Sequence, residues 1–154
     1  MISDNNADIF SRKNALDILA AASADILAEQ YEALEPTLPT AVPVRGPEIG
    51  AVMIRGKVGG GGAAFNLGEA SVTRATVKLA SGEIGHSIIL GRDKRKARIV
   101  AHLDALRQIP DWVEQIDSKI VRPALDAMNA EKLRRAEETE ATRVDFFTVA
   151  RGED

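Results

Sequence analysis

The 154-residue sequence contains no cysteine and only two histidines, His86 and His102. Without cysteine the chain forms no disulfide, supplies no thiol nucleophile and holds no cysteine-ligated iron–sulfur cluster. A protein zinc site would have to take most of its ligands from carboxylates, so we expect no metal site on this chain. The lack of cysteine is also compatible with a reducing cytoplasm, which is the localisation that we expect.

Long apolar runs and a basic excess are missing as well. No stretch approaches the roughly 18 apolar residues of a membrane-spanning helix, and the N-terminus lacks the apolar core of a signal peptide, so we expect no membrane association. A net charge of −3 argues against a nucleic-acid-binding domain, which usually carries a strong basic excess. The length and the apolar content of 45% predict one soluble domain over residues 1–154.

Glycine is absent from residues 1–45 and 94–151, whereas 11 of the 12 glycines lie between Gly46 and Asp93. Because a glycine inside a helix costs about 0.5–1 kcal/mol relative to alanine, this distribution favours helices in the flanks and strands with turns in the centre. The predicted fold is therefore α+β, a single domain with about four strands in a mostly antiparallel sheet (residues 49–90) flanked by N-terminal and C-terminal helices.

The central segment contains four predicted strands. Their ranges are Ala51–Ile54, Ala64–Ala70, Thr73–Leu79 and Ile84–Leu90. The first is a continuous apolar run, which is typical of a strand covered on both faces. The third alternates between a dry face and a basic face that carries Arg74 and Lys78. A turn at residues 80–83 joins the last two strands into a hairpin.

The flanks carry helical patterns interrupted by a proline-rich segment. Residues 1–10 are polar and predicted to fray, and Ser11 can cap either one bent helix or two helices joined near Ser23. Four prolines predict an extended connector over residues 35–47. A third helix is predicted from Asp93 to about residue 108. Asp111 can cap a fourth helix, and Pro123 can start a fifth.

The glycine run at residues 59–62 is the first candidate anion site. Successive backbone N–H groups can form a nest for a phosphate, which makes Gly60 and Gly61 candidate phosphate-binding residues. The run lacks the lysine and hydroxyl residue of the Walker pattern, and it leads into a strand rather than a helix. A flexible or bulged connection between strands is therefore the stronger interpretation.

The second candidate anion site is the start of the third helix, where five basic residues fall within seven positions, residues 92–98. Cations at a helix N-terminus oppose the macrodipole, whereas a bound anion is favoured there. We therefore consider Arg92, Lys94 and the neighbouring Arg74 as phosphate-binding residues. The equally weighted alternative is that these side chains extend into water or pair with carboxylates, with Glu69 a possible partner of Arg74.

The histidines do not indicate a catalytic centre. His86 shares its register with Ile84, Ile88 and Leu90, which predicts a core histidine rather than a catalytic base. His102 lies in the middle of a predicted helix with no visible partner. No nucleophile–base pair and no convincing pair of carboxylates is recognisable, so the catalytic residues stay unknown at this point.

The C-terminal tail, residues 141–154, differs from the highly charged segment before it. It carries two of the four phenylalanines, Phe146 and Phe147, next to Arg143. An aromatic side chain buries about 150–250 Å² when covered. The tail is therefore expected either to fold back on its own core or to dock on another chain, and we consider these three residues as partner-binding.

Five motifs in order carry a resemblance to a known family. They are Gly59–Phe65, Gly68–Ala75, Ser81–Gly85, Leu90–Lys94, and Arg143–Thr148 with the following Arg151–Gly152. In these motifs and over nearly its whole length the chain is similar to the G subunits of the carbon–phosphorus lyase system, the PhnG family.

The resemblance implies a subunit of a transferase complex in organophosphonate catabolism. The family's members assemble with H, I and J subunits, two copies of each, and with ATP-binding accessory subunits. The complex replaces the adenine of MgATP by an alkylphosphonate and forms ribose 1-alkylphosphonate 5-triphosphate. A later step uses an iron–sulfur cluster and S-adenosylmethionine on the J subunit, so this chain is expected to bind no cofactor alone.

The resemblance identifies no catalytic residue on this chain, and it implies a non-catalytic or co-catalytic subunit that is inactive alone. Two other classes of function remain open from the residues. One is a stand-alone nucleotide- or phosphate-binding enzyme, and the other is a small nucleic-acid-binding domain, against which the net charge weighs.

Overall fold

The computed structural model describes residues 10–59 and 61–142 and shows helices covering one face of a three-stranded antiparallel sheet. This arrangement confirms the predicted α+β class. The strands, in the spatial order β1-β2-β3, are β1 (Ala41–Lys57), β2 (Ala64–Leu79) and β3 (Ile84–Leu90). The helices are α1 (Arg12–Ala21), α2 (Ala24–Leu34), α3 (Lys94–Leu106), α4 (Pro110–Ile116) and α5 (Arg122–Ala141). No helix within these ranges is long and apolar enough to cross a membrane.

The sheet has three strands rather than about four because two predicted strands are parts of β2. Ser71 and Val72, which lie between them, pair with Ala51 and Gly50 of β1, so the ladder does not break there. A register shift next to Gly68 lets the strand bend without ending. β2 therefore runs through both apolar segments.

β1 begins inside the predicted connector over residues 35–47. A 3-10 turn at Glu35–Thr37 follows α2, and the strand starts at Ala41. Pro43 and Pro47 are tolerated because β1 is an edge strand, where a missing N–H donor leaves no ladder bond unmade. The pairing with β2 shifts register around both prolines. The prolines therefore mark the irregular part of an edge strand rather than a connector.

The buried face of the sheet is predicted correctly for β2 and wrongly for β3. Thr73, Ala75, Val77 and Leu79 are buried against the helices, while the alternate residues of β2 face outward. In β3 the buried residues are Gly85, Ser87 and Ile89. His86 lies on the opposite, exposed face with the larger apolar residues of β3, so it is not a core histidine.

The N-terminal helical region forms two helices. Ser11 caps α1 by accepting a hydrogen bond from the backbone N–H of Asn14 at 3.1 Å. Ser23 occupies the cap position of α2 but makes no capping bond with its side chain. The core between these helices, α3 and the sheet contains Leu19, Leu27 and other fully buried apolar side chains.

The predicted fourth and fifth helices are almost continuous. α4 begins at Pro110, so Asp111 lies in its first turn rather than at the cap. A π-helical turn at Asp117–Val121 joins α4 to α5 without a loop. Pro123 is the second residue of α5 and follows the π-helical turn directly, so the predicted start of a fifth helix at this proline is correct.

The far part of the β1–β2 hairpin extends beyond β3. β3 pairs with β2 only between Val72 and Lys78, so residues 51–57 and 64–70 form a two-stranded projection, here called the β-arm. At about 3.3 Å per residue it is about 23 Å long. Apart from Gly56 and Ala70, which are half-buried, every residue of the β-arm is exposed. Its apolar run Ala51–Ile54, predicted to be covered on both faces, is left exposed on both by the described residues.

Candidate functional site

The structure does not gather the predicted phosphate-binding residues into one site. Arg74 lies on the open face of β2, whereas Arg92 and Lys94 lie at the start of α3. Gly61 lies in the turn at the tip of the β-arm, and at about 3.3 Å per residue it is more than about 30 Å along β2 from Arg74. Gly60 lies outside the described residues. The glycine run leads directly into β2, so the helix that a nucleotide loop requires does not follow it.

The start of α3 is occupied by the chain's own side chains. Asp93 caps the helix by accepting a hydrogen bond from the backbone N–H of Lys96 at 2.8 Å. Arg95 pairs with Glu32 of α2. These contacts fill part of the space and of the hydrogen-bonding capacity that a phosphate would use. Arg92 and Lys94 remain exposed, and neither has an ion pair with any residue of the described ranges.

Lys96 has a structural role rather than a ligand-binding one. Its Nζ donates hydrogen bonds to the backbone oxygens of Ala20 at 2.7 Å and Ala22 at 2.6 Å. These carbonyls belong to the C-terminal end of α1, where backbone acceptors lack helical partners. Burial lowers the pKa of the Lys96 ammonium. The lysine therefore ties the end of α1 to the start of α3.

Arg74 is part of a polar row on the open face of the sheet. The Nε atoms of Arg74 and Arg45 both donate to Oε1 of Glu48, at 2.5 and 2.7 Å. The hydrogen bond from Arg74, followed by that from Arg45, lowers the pKa of the Glu48 carboxyl. The predicted partner Glu69 instead lies on the β-arm opposite Met53. Two guanidinium groups thus share one carboxylate on this face.

His86 lies beside Thr76 on the same open face, with 3.1 Å between its Nδ1 and the Thr76 hydroxyl. Its backbone N–H points to the free edge of β3 and donates to Oδ2 of Asp104 at 2.9 Å. The side-chain amide of Gln108 donates to the oxygen of Ile84 at 2.7 Å along the same edge. Asp104 of α3 and Gln108, just beyond the end of that helix, therefore cover the β3 edge of the sheet.

His102 is buried and has two hydrogen-bonding partners, which nothing in the local sequence indicates. Its Nε2 donates to the backbone oxygen of Pro39 at 2.8 Å, so its Nδ1 accepts from the Tyr31 hydroxyl at 2.7 Å. Burial lowers the pKa of His102 and raises the pKa of Tyr31 to about 12. Both groups are therefore neutral at pH 7. A cavity of about 210 Å³ lies beside this pair and is also lined by Glu35 and Arg98.

The buried carboxylates are held in ion pairs. Asp104 accepts two hydrogen bonds of 2.8 Å from the guanidinium of Arg12. Asp117 accepts bonds of 2.6 and 2.9 Å from Arg107, which also donates to the backbone oxygen of Phe10. Within residues 10–59 and 61–142 no three His, Asp or Glu side chains are placed to hold a metal ion. These pairs join elements of the fold, and both buried carboxylates of the described residues are thereby engaged.

Exposed apolar side chains are the most unusual feature of the sheet. They occur on the open face, where α-helices do not cover the sheet, and on both faces of the β-arm. The residues are Val42, Val44, Val52, Met53, Ile54, Phe65, Leu67, Ile84, Ile88 and Leu90. Exposed apolar side chains in this number, beyond a few scattered ones, usually mark a protein–protein contact. The predicted partner-binding residues Arg143, Phe146 and Phe147 lie outside the described residues.

Comparison with known proteins gives a match over almost the whole chain. The family model described as phosphonate metabolism protein PhnG matches residues 10–152. The chain belongs to the PhnG family. A relative from Rhizobium meliloti (strain 1021), the alpha-D-ribose 1-methylphosphonate 5-triphosphate synthase subunit PhnG, is 47% identical over 150 residues, which cover 97% of this chain and 95% of the relative. The resemblance carried by the five sequence motifs is thereby confirmed. The PhnG match includes the β-arm and the open face.

Proposed function

We propose that this chain is an accessory subunit of a synthase complex in phosphonate metabolism. The observation that carries the proposal is the full-length match to a relative that is named as a subunit of alpha-D-ribose 1-methylphosphonate 5-triphosphate synthase. The extensive uncovered apolar surface of the sheet supports a subunit that is completed by partners.

The proposed reaction of the complex is the displacement of adenine from MgATP by an alkylphosphonate. A phosphonate oxygen forms a bond to C1′ of the ribose while the bond from C1′ to the adenine nitrogen breaks. Adenine leaves with a proton, and the 5-triphosphate stays on the sugar. The product is a ribose 1-alkylphosphonate 5-triphosphate, so the complex is a transferase.

We assign the chemistry of this reaction to partner chains. The buried carboxylates Asp104 and Asp117 are paired with arginines, and the Tyr31 hydroxyl stays protonated at pH 7. This arrangement supports a role in assembly and positioning rather than in acid–base or nucleophilic catalysis. The proposed partners are H, I and J subunits in two copies each, with ATP-binding accessory subunits, in the cytoplasm. MgATP, the iron–sulfur cluster and S-adenosylmethionine would be held by those partners.

Co-expression tests the subunit assignment. Only this chain is tagged, it is produced with its H, I and J partners, and the purified material is run on size exclusion beside the chain expressed alone. The proposal predicts co-elution of all partners in a large stoichiometric complex. A stable monomer that recovers none of the partners would contradict it. Binding of nucleotides by that monomer would then favour the stand-alone enzyme.

A further inference from the structure

The β-arm projects from a defined end of the domain. β3 ends at Leu90, and the short connection through Gly91 brings the chain directly to the start of α3. The bonds from Lys96 to Ala20 and Ala22 place the end of α1 there as well. The β-arm, the start of α3 and the end of α1 therefore share one end of the molecule, here called the arm end.

The far half of α5 projects from the same end. α5 begins beside the start of α1, where the guanidinium of Arg122 lies 5.0 Å from the centre of the Phe10 ring. Further along, Met128 and Arg135 line a groove together with Ala21 at the end of α1. α5 thus follows α1 from start to end. Its last residues extend past α1, and residues 132–141 are all exposed.

The β-arm combines the sequence of a buried strand with the exposure of a surface loop. Met53 is 54% exposed, Ile54 42%, Phe65 42% and Leu67 62%. Met53 and Ile54 point to opposite faces because successive residues of a strand alternate. A flat partner surface can cover one of these faces only. Covering both requires a cleft.

The charges of the β-arm and of the start of α3 are mainly positive. Arg55, Lys57, Arg92 and Lys94 are exposed, and none forms an ion pair within the described residues. Glu69 is the carboxylate of the β-arm, and Asp93 is already engaged in capping α3. The complementary surface is therefore apolar in its centre and acidic at its rim.

We propose that the β-arm inserts into an apolar cleft with an acidic rim on a different subunit of the complex. The proposal rests on the function proposed above and assigns a surface to it. A second copy of this chain is the poorer occupant, because a two-fold contact brings the same patch against itself and would place these four cations opposite one another. Insertion into such a cleft covers both faces of the arm and also places its cations beside the carboxylates of the rim.

Paired serine variants test the apolar contact in the tagged co-expression. The variant Met53→Ser/Ile54→Ser removes exposed apolar groups from both faces of the arm. The matched control is Ile26→Ser/Leu133→Ser, at 36% and 63% exposure on α2 and α5, outside the sheet. We expect the arm variant to recover at least tenfold less partner protein with an unchanged melting midpoint, and the control to recover normal amounts. Normal recovery by the arm variant would overturn the proposal.

Charge reversal tests the acidic rim. Arg55→Glu/Lys57→Glu should lower partner recovery at least tenfold, while Lys13→Glu/Lys119→Glu, on helical segments, should leave it unchanged. Equal recovery by both variants would overturn the acidic rim.

Two other occupants of the arm surface are tested with the same variants. If the isolated wild-type chain is a dimer and Met53→Ser/Ile54→Ser converts it to a monomer, the occupant is a second copy of this chain and the proposal is wrong. The second occupant is the chain's own tail. If deletion of residues 143–154 and the arm variant lower the melting midpoint by the same amount, and both proteins still assemble with the partners, the tail covers the arm and the proposal is overturned. A wild-type chain that recovers no partner contradicts the proposed function itself.

Discussion

Gly85 of β3 lies directly against the backbone of Ala101 in α3, and a Cβ built on the glycine would stand 1.9 Å from the Ala101 oxygen. This close approach determines which face of β3 the helices cover. Only a glycine fits under α3 at this position, and Ser87 follows on the same face with its hydroxyl bonded to the oxygen of Ala97 at 2.6 Å. The larger apolar residues of β3 are consequently left on the open face.

Gly85→Ala should therefore destabilise the chain. The added methyl group meets helix backbone that cannot move aside as a flexible side chain would, so we expect a loss of about 3 kcal/mol, the upper part of the usual range for overpacking. Chemical denaturation measures it. Gly50→Ala is the matched control, because a Cβ on this strand glycine meets nothing within 4 Å. Equal unfolding free energies for the two variants would contradict the packing described.

The buried pair of Arg107 and Asp117 should be costly to break from one side. The two side chains are 5% and 4% exposed, so Arg107→Met leaves a buried carboxylate without its partner. We expect a loss of about 3–5 kcal/mol, most of which the double variant Arg107→Met/Asp117→Leu should recover. Lys13→Met removes an exposed pair with Asp17 and should cost at most about 0.5 kcal/mol. A double variant no more stable than Arg107→Met would count against this account.

Lys96→Met should destabilise the chain, whereas Lys94→Met should not. The first change leaves two carbonyl oxygens at the end of α1 without the charged donor, which costs about 1.5–3 kcal/mol. The second removes an exposed cation from a helix N-terminus, where it opposes the macrodipole. Thermal melting of the two variants side by side gives the comparison. Similar midpoints would show that the bonds from Lys96 contribute nothing.

His102 should make the stability depend on pH below neutrality. Burial lowers its folded-state pKa below the ordinary value of 6.5. Above pH 6.5 the ring is neutral in the folded and the unfolded state, and its contribution to the free energy of unfolding is fully present. As the pH falls through the lowered pKa, the unfolded state has taken up the proton first, so stability is lost. The hydrogen bond to the Pro39 oxygen and the charge of Glu35, which lines the same cavity as Arg98, oppose this lowering of the pKa without cancelling it.

The measurement is the free energy of unfolding between pH 8 and about pH 5. His102→Gln should show a smaller loss over this range than the wild type. His86→Gln is the control and should keep the wild-type slope, because His86 lies on the open face. Parallel curves for the wild type and His102→Gln would refute the assignment.

The sequence predicts the β2–β3 hairpin and the buried face of β2 because Thr73 to Leu79 alternate cleanly. It misplaces the buried face of β3, since hydropathy favours Ile84, Ile88 and Leu90 over Gly85, and only the approach of α3 reverses that preference. The sequence also misses the start of β1. Pro43 and Pro47 predict a connector there, because local sequence rules do not distinguish an edge strand from an extended connector.

The candidate site was predictable only in part. Basic residues at the start of α3 are visible in the sequence, but the contacts of Arg95 and Lys96 depend on residues more than sixty positions away. The same holds for the pair of Tyr31 and His102, which are 71 positions apart. The apolar run Ala51–Ile54 correctly indicates a strand, but the predicted cover on both faces is not found among the described residues. This is why we propose that a partner supplies it.

The central claim is that this chain completes a synthase whose chemistry lies on other subunits. Its most direct test is adenine release from MgATP and methylphosphonate by the purified partner subunits, measured with and without this chain. We predict that release depends on the added chain and that the chain alone releases none. Full activity of the partners in its absence, or adenine release by the isolated chain, would contradict the account.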